Sequence, residues 1–398
     1  MQNADVDTLL IGVIAVIALA LLFDFTNGFH DAANSVSTVV ATRALPAKWA
    51  VWFSAFFNFL AYFFVGTAVA NTVAKVVDAD VSGLAVVFSA LVAAIVWNYA
   101  TWWVGMPSSS SHALIGGLAG AGLSAGGIDA IDWASVQKTA VAIIASPLVA
   151  FTVAFLAMYL VAGSQKLFKL PDNARPFKVL QLISAGAVSF GHGANDAQKT
   201  MGVIAALLVG TGYVTIPAGS EEIPVPEWVA IAAYSAIALG TVWGGWKIIE
   251  TMGLRITTLH AASGLAANIG AVAAIFGATG YGIPISTTHA AGSSVMGAGV
   301  SSGRGLNLKV VGEMVAAWVV TIPATTTIAW LVYKLTQLPG AAAWAAVGSL
   351  VFVVGGAIAY AMTHSVKAED VEAEIPTEEE LAVHVPPVPH IEGEGPVQ

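Results

Sequence analysis

Apolar stretches long enough to cross a membrane recur along nearly the whole chain of 398 residues. A helix needs about 20 apolar residues to span the hydrocarbon core of a bilayer, which is about 30 Å thick. Hydrophobic residues make up 57% of the chain and charged residues 10%, whereas soluble domains carry about 25% charged residues. We therefore predict an all-α polytopic membrane protein with ten to twelve transmembrane helices. The stretches are residues 8–42, 48–71, 81–104, 137–162, 228–249, 257–278, 310–335 and 342–362, with shorter Gly- and Ser-rich pieces at 106–124 and 281–300.

Two apolar stretches are too long for one straight crossing. They are residues 8–42 and residues 179–216, and the second is interrupted in its middle. Each is predicted to be a span followed by a half-helix, which gives broken or re-entrant helices at the midplane of the membrane.

The same composition excludes several other classes of protein. Disordered chains and nucleic-acid binders carry far more charge than this one. The chain has no Cys, so it holds no disulfide and no thiolate metal site. The first apolar run, Leu9 to Phe23, follows Asp5 and Asp7 rather than basic residues. It is therefore predicted to be a spanning helix and not a secretory signal peptide.

The charges of the loops predict the orientation of the helices. Basic residues concentrate in cytoplasmic loops of membrane proteins. By this rule the basic segments 43–48, 163–178 and 301–309 are predicted to be cytoplasmic, and the acidic segments 125–136 and 217–227 to be external. An external N-terminus satisfies all five assignments.

Most of the net charge of −9 lies after Thr363, where the chain has nine acidic residues and one basic residue. This segment is also rich in Pro and Val and has no helical apolar period. Residues 364–398 are predicted to be an acidic disordered tail. Residues 336–363 are predicted to form an additional C-terminal transmembrane helix.

Two motifs occur twice in the same order. GFHDAANS at 28–35 matches GANDAQKT at 193–200, and GMPSSSSH at 105–112 matches GIPISTTH at 282–289. Loops that follow equivalent motifs carry opposite charge, which predicts that the two repeats have opposite orientation in the membrane. Inverted repeats are typical of secondary transporters, whose substrate and ions bind near the midplane.

These repeats define the predicted domains. Residues 1–162 form membrane repeat 1, residues 163–178 a basic cytoplasmic linker, and residues 179–335 membrane repeat 2.

Charged residues inside spans are costly and indicate function. Asp31 and Asp196 occupy equivalent positions in the two repeats, and we predict that they hold coupling cations. Asp24 lies seven residues before Asp31, so it can share a helix face with it and is a further candidate coupling-ion residue. Helix capping is the alternative role for the two motif carboxylates.

The two Pro-Ser motifs predict an anion site. Pro favours the first turn of a helix, and Ser and Thr favour its N-cap. A helix that starts inside the membrane directs N–H groups, hydroxyls and the positive end of its dipole at an anion such as phosphate. Simple capping near the membrane surface is the alternative. The predicted phosphate ligands are Ser109, Ser110, Ser111, Ser286, Thr287 and Thr288.

Four histidines lie in or beside these motifs: His30, His112, His192 and His289. They are predicted to be proton or metal contacts, and hydrogen-bonded packing is the alternative. No metal site is assigned with certainty.

The charge balance predicts cation-coupled anion transport. No Arg lies deep in a predicted span, so Lys199 is the only basic residue expected to hold the anion. A dianionic phosphate beside Asp31 and Asp196 is repelled unless cations accompany it. Lys199 lies one helical turn after Asp196 and can neutralise it without an imported ion.

The paired Asp motifs and paired P-x-S-[ST]-[ST]-H motifs resemble those of the inorganic phosphate transporter (Pit) family over about residues 20–335. The sequences NGFHDAAN at 27–34 and SFGHGANDAQK at 189–199 are most similar to those of the bacterial low-affinity phosphate permeases. The resemblance implies proton-linked import of phosphate, in part as a neutral complex with a divalent metal.

The resemblance also implies further site residues. The family motif N-D-x-x-N implies cation or phosphate contacts at Asn34 and Asn195. This chain departs from it at His30 and Lys199. Sodium-coupled members carry glutamates at the positions of Asn58 and Asn268, so these are candidate coupling-ion positions and sodium is disfavoured.

We therefore predict a symporter of inorganic phosphate in the plasma membrane, with no resident cofactor. Protons or divalent ions such as Mg are the expected co-transported ions. A sodium-coupled phosphate symporter and a sulfate permease of the same family are the alternatives. An intramembrane hydrolase is rejected, because no G-x-S-x-G or H-E-x-x-H motif is found. The expected partners are phosphate and the lipid bilayer, without nucleic acid. A homodimer is left open.

Overall fold

The computed structural model describes residues 2–220 and 222–375, and these residues are arranged almost entirely in helices. The α-helices of this described part are α1 (Gln2–Asp31), α2 (Ala33–Ala41), α3 (Ala47–Leu60), α4 (Ala68–Ala74), α5 (Leu84–Val104), α6 (Ser110–Gly126), α7 (Trp133–Phe168), α8 (Arg175–Gly210), α9 (Glu227–Trp243), α10 (Trp246–Glu250), α11 (Ala261–Gly280), α12 (Thr287–Ser301), α13 (Leu308–Thr336), α14 (Ala341–Thr363) and α15 (Ala368–Glu374). The all-helical membrane architecture predicted from the sequence is confirmed.

The order of elements is repeated along the chain. A long helix is followed by a sharply bent pair, then by a hairpin of two helices, then by a second long helix. The bent pair is α3 with α4 in the first half, at 89°, and α9 with α10 in the second half, at 70°. The second long helix contains an internal proline in both halves, Pro147 in α7 and Pro323 in α13.

The two halves pack on each other reciprocally. Helix α1 packs on α9 and α8 packs on α3, while α6 packs on α13 and α12 packs on α7. Equivalent glycines permit the first two contacts. A Cβ atom at Gly28 would lie 2.2 Å from the Ile237 carbonyl oxygen, and one at Gly193 would lie 2.4 Å from the Asn58 carbonyl oxygen. Only glycine allows such close helix approach, which membrane helices use in place of hydrophobic attraction.

Contacts between loops define two ends of the bundle. At one end Arg304 pairs with Asp172 at 2.6 Å, and the Thr42 hydroxyl donates to Gln181 at 2.9 Å. At the other end the Asp78 amide donates to the Ala130 carbonyl at 3.0 Å. Segment 217–227 belongs to this second end, because the Ile223 amide donates to the Asn71 side chain at 2.7 Å. The three basic segments thus lie at one end and the two acidic segments at the other, so equivalent loops of the two halves lie at opposite ends.

The count of ten to twelve spans is not confirmed. Six helices of the described residues are long and apolar enough to cross a membrane, or eight if each bent pair counts as one span. One reason is that the hairpins α5–α6 and α11–α12 each return to the end where they start. The second helix of each hairpin has only 17 and 15 residues, respectively.

The two long stretches are not broken where the sequence predicted. Residues 175–210 form one continuous helix of 36 residues, α8. Helices α1 and α2 are separated only at Ala32, whose φ of −50° and ψ of −36° are helical. The prediction of a span plus a half-helix is therefore wrong for both. The polar side chains of the Asp motifs find partners on neighbouring helices, so the motif needs no helix break.

The predicted linker and tail are also corrected. The connection between α7 and α8 is shorter than 163–178, because the two helices extend to Phe168 and from Arg175. Within the predicted tail the structure contains the short helix α15, in which Val371 is buried, and the next residue after the helix, Ile375, is buried one helical turn later. The remaining predicted tail, 376–398, lies outside the described residues.

Helix α15 is also tied to the first half by polar contacts. The Ala47 amide at the start of α3 donates to Glu372 Oε1 at 2.6 Å. The Arg43 guanidinium donates to the Ile375 carbonyl at 2.9 Å.

Candidate functional site

The starts of α6 and α12 meet in the interior of the bundle. Each start is capped by the serine two residues after the proline of its motif. Ser109 accepts from the His112 amide at 3.2 Å, and Ser286 accepts from the His289 amide at 3.1 Å. These two hydroxyls, which the sequence predicted as phosphate ligands, therefore satisfy the helix ends in this structure. The hydroxyls one and two residues later project toward the Asp motifs.

Asp31 lies between the two helix starts. Its Oδ1 accepts hydrogen bonds from Ser110 at 3.4 Å and from Thr288 at 3.2 Å. His30 Nδ1 lies 2.6 Å from the same oxygen, and His30 Nε2 lies 3.1 Å from the Thr101 hydroxyl. Asp31 therefore contacts both Ser/Thr motifs at once, and its neighbour in the chain is a group that can gain or lose a proton.

Asp196 is paired with a buried ammonium. Lys199 Nζ lies 2.6 Å from Asp196 Oδ1 and donates to the Ile285 carbonyl at 2.9 Å. It also donates to the Ser111 hydroxyl. Lys199 is 1% exposed, so its side chain does not extend to the membrane surface. One ammonium thus connects α8 to the start of α6 and to the residue that precedes the α12 cap.

Two asparagines named by the family motif have different positions. Asn34 Nδ2 donates to Thr287 at 3.2 Å and to Thr288 at 3.1 Å, so it contacts the candidate anion site. Asn195 instead holds the turn before α12. It donates to the Thr279 hydroxyl at 2.9 Å and accepts from the Ile285 amide at 3.2 Å.

The four histidines lie in or next to the site. His192 Nε2 is 3.7 Å from Asp196 Oδ2. The rings of His112 and His289 meet edge to face with centroids 4.4 Å apart, and Trp318 stacks on His289 at 4.1 Å. Neither ring nitrogen of His112 has a hydrogen-bond partner among the described residues.

The remaining candidates lie further out. Asn58 contacts His192 Nδ1 at 3.2 Å, so it reaches the site through that ring. Asn268 lies away from the carboxylates, because it accepts from Thr38 at 2.9 Å and donates to the Gln181 carbonyl at 3.2 Å. Asp24 is fully buried one helical turn before Gly28.

Sequence reasoning missed two groups of the site. Asn27 donates to Asp196 Oδ2 at 3.2 Å, and its only signal was an amide next to the first Asp motif inside an apolar stretch. The Ile285 carbonyl accepts from both Lys199 and Ser111. A backbone group carries no signal in a sequence.

The comparison with protein families decides which kind of protein carries this site. A model described as the phosphate transporter family matches residues 27–329, which include both Asp motifs and both Pro-Ser motifs.

The chain belongs to the phosphate transporter family.

Curated members of the family match over most of their length. A protein of Rhizobium meliloti described as "probable low-affinity inorganic phosphate transporter" is 46% identical over 335 residues, which cover 83% of this chain and 97% of that protein. A protein of Bacillus subtilis with the same description is 40% identical over 340 residues, covering 83% and 99%. The family consists of transporters, so the protein is a multi-pass membrane transporter and not an enzyme.

A solved structure shares the fold. It is described as "the sodium-dependent phosphate transporter" and aligns with a TM-score of 0.74 at 24% identity, covering 83% of this chain and all of that chain. This similarity extends to the architecture and carries no information on the coupling ion of this transporter.

The site of this transporter combines an anion cradle with cation ligands. Asp31, His192 and Asp196 each offer one atom, and the three atoms lie within 4.8 Å of one another. Carboxylate oxygen with imidazole nitrogen suits a divalent ion such as Zn or Mn. Three carboxylates, at Asp24, Asp31 and Asp196, share this buried region with the single ammonium of Lys199. The described side chains of this region thus include three carboxylates and one ammonium.

Proposed function

We propose that this protein imports inorganic phosphate across the plasma membrane as a symporter driven by protons, in part as a complex with a divalent metal ion. The observation that carries the proposal is the position of Lys199, whose ammonium is shared by Asp196, Ser111 and the Ile285 carbonyl. The names of the bacterial relatives support phosphate as the substrate.

Phosphate would bind where the starts of α6 and α12 face each other. Backbone N–H groups and the positive ends of two helix dipoles favour an anion there. The hydroxyls of Ser110, Ser111, Thr287 and Thr288 and the Lys199 ammonium supply donors. In this structure Ser110 and Thr288 donate to Asp31, Ser111 donates to the Ile285 carbonyl and Thr287 accepts from Asn34, so phosphate would exchange partners with these groups.

Lys199 supports the choice of coupling ion. The Lys199 ammonium pairs with Asp196, and it has no acceptor atom that could bind sodium. Its counterpart in the first repeat is Asn34, whose amide oxygen is of the kind that can bind sodium. One cation is therefore part of the chain, and protons or a divalent ion near Asp31 and His192 balance the charge on phosphate.

Uptake into liposomes tests the proposal. Purified protein is given radiolabelled phosphate with a proton gradient, a sodium gradient or neither, each with and without a chelator of divalent ions. We expect a proton gradient to stimulate uptake without sodium, and the chelator to reduce it. Uptake that requires an inward sodium gradient would overturn the coupling proposal.

Two controls complete this experiment. Excess sulfate is expected not to compete, and full competition would favour the sulfate permease. The variant Asp129→Asn, at an exposed acid of the predicted external loop, is expected to behave as the wild type and serves as the matched control for Asp31→Asn.

A further inference from the structure

Asp24 differs from the other two buried carboxylates because it has no counter-charge. Asp31 is next to His30 and Asp196 is paired with Lys199. Asp24 is 0% exposed, and neither of its oxygens accepts a hydrogen bond of acceptable geometry from any described residue. An ionised carboxylate in an apolar interior is strongly unfavourable without a partner.

Two more buried oxygen atoms without partners lie beside this carboxylate. Asn27 lies three residues after Asp24 on the same face of α1, and it donates to Asp196 on α8, one turn before Thr200. Thr200 Oγ1 and Asn27 Oδ1 are buried and lack hydrogen bonds within the described chain. More than about 90% of buried polar groups in folded proteins are satisfied, so these oxygens and the two of Asp24 indicate a ligand.

The donor chemistry specifies what that ligand is. All four atoms are oxygens, which is the ligand type of hard cations. The set contains one carboxylate and no other acid, so a single positive charge balances it. The groups that face Asp24 from other helices are Asp196 and Lys199 on α8, which neutralise each other, and Tyr234 on α9.

We propose that Asp24, Asn27 and Thr200 form a cation site, separate from the Asp31–His192–Asp196 cluster, that takes one monovalent cation. Under the proposed proton coupling this cation is a proton on the Asp24 carboxyl, and a sodium ion held by the oxygens is the other outcome of the test. This inference rests on the proposed function, since it gives cation-coupled transport a place where one cation binds.

Asn27 connects this site to the phosphate cradle. Its Nδ2 donates to Asp196 Oδ2 at 3.2 Å, and Asp196 in turn holds the ammonium that contacts Ser111. A cation at Asp24 changes the electrostatic potential at the Asp196–Lys199 pair, because only the Asn27 side chain lies between them. Loading of the Asp24 site and loading of the cradle are therefore coupled.

Infrared difference spectroscopy on the purified protein tests the site without transport. In sodium-free buffer a proton at Asp24 gives the C=O band of a protonated carboxyl in a dry environment. We expect this band in the wild type and in Asp7→Asn, which changes an exposed acid of the same helix. We expect its loss in Asp24→Asn.

Sodium titration separates the two cations. If sodium occupies the site, added sodium removes the Asp24 band, and radiolabelled sodium binds to the wild type but not to Asp24→Asn. If the proton is the occupant, the band persists at all sodium concentrations. Absence of both an Asp24-dependent band and Asp24-dependent sodium binding would overturn the inference.

A second variant guards against misfolding of Asp24→Asn. Thr200→Val removes one oxygen and keeps the shape of the side chain, so the protein is expected to fold and to bind the cation about tenfold more weakly or worse. An unchanged band and unchanged cation affinity in this variant would contradict the proposed ligand set.

Transport distinguishes this inference from the proposed function. At a tenfold gradient of the coupling cation, loss of one coupled monovalent cation is expected to lower the accumulation of phosphate about tenfold while phosphate exchange continues. No accumulation by the wild type would refute the proposed function. Equal accumulation by the wild type and Asp24→Asn would refute the coupling role of this site alone.

Discussion

Asp31 and Asp196 occupy equivalent positions in the two halves, but their partners differ in kind. Asp31 is flanked by His30 and reaches two hydroxyls. Asp196 is bound by the ammonium of Lys199. His30 in the first half corresponds to Asn195 in the second half. Lys199 in the second half corresponds to Asn34 in the first half. The same scaffold therefore carries a fixed ion pair in one half and an exchangeable charge in the other.

This difference indicates where ions come and go. A permanent pair such as Asp196–Lys199 needs no imported cation to be stable in a dry interior. Asp31 contacts His30 and two hydroxyls rather than an ammonium, so under the proposed function a mobile ion balances its charge. We expect the exchangeable cations on the α1 side of the site, at Asp31 and Asp24.

The largest effects are expected from the two carboxylates. Asp31→Asn and Asp196→Asn should each abolish phosphate uptake while the protein still reaches the membrane, because each removes a charge that holds a cation beside the anion. Near-normal uptake by either variant would show that this carboxylate is not needed to hold a cation beside phosphate.

Thermal stability provides a second test of the difference between Asp31 and Asp196. Asp196→Asn leaves the buried Lys199 unpaired, and breaking a buried ion pair costs about 3–5 kcal/mol. Asp31→Asn leaves no buried cation of this kind. We expect a lower melting temperature for Asp196→Asn than for Asp31→Asn in the same detergent, and equal melting would contradict the fixed pair.

The next largest effect is expected from Lys199→Asn, which makes the second half resemble the first. The Asp196 carboxylate then has no built-in cation, so uptake should become dependent on added sodium or on higher concentrations of divalent metal. The measurement is the ion dependence of uptake in liposomes. Lys138→Asn, at an exposed position of α7, is the control, and an ion dependence identical in both variants would refute the role of Lys199.

Smaller effects are expected from the hydroxyls. Ser110→Ala and Thr287→Ala should weaken the apparent affinity for phosphate about 10- to 150-fold, because a hydrogen bond to a charged group contributes about 1.5–3 kcal/mol. Ser109→Ala and Ser286→Ala remove caps and should lower stability by about 1 kcal/mol. If the second pair affects phosphate affinity as strongly as the first, the distinction between capping and binding hydroxyls is wrong.

The smallest contrast between the halves is expected at the glycines. Gly28→Ala and Gly193→Ala each place a methyl group against a carbonyl oxygen of the opposite half, and overpacking costs about 1–3 kcal/mol. The two losses of stability should be similar, since the scaffold is repeated even where the charges are not. A large difference in their melting temperatures would show that the asymmetry extends beyond the charges.

Patterns that repeat in the sequence predicted the scaffold well. The paired motifs gave the positions of α6 and α12, because Pro and Ser signal a helix start through local backbone chemistry. The spacing of Asp196 and Lys199 predicted their contact, because residues three apart share a helix face. The number of spans is not confirmed, since apolar length does not tell a crossing helix from one arm of a hairpin.

Contacts between distant segments could not be predicted. Nothing in the sequence brings Asn27 to Asp196, or assigns Asn195 to a turn and Asn34 to the cradle, because these outcomes depend on how helices pack. The helical part of the acidic tail escaped detection for the same reason. Its two apolar residues, Val371 and Ile375, become informative only when α3 and α10 provide a surface to cover them.

The contact of Glu372 with the Ala47 amide has a consequence for the order of biosynthesis. The two residues are 325 positions apart, and Pro46 offers no side chain to cap α3. At ~5–20 residues per second, the ribosome needs roughly 16–65 s to reach Glu372 after making Ala47. During this interval the start of α3 lacks its carboxylate. A premature stop codon between Thr363 and Glu372 would yield a chain that has every membrane helix and never completes this last step of assembly.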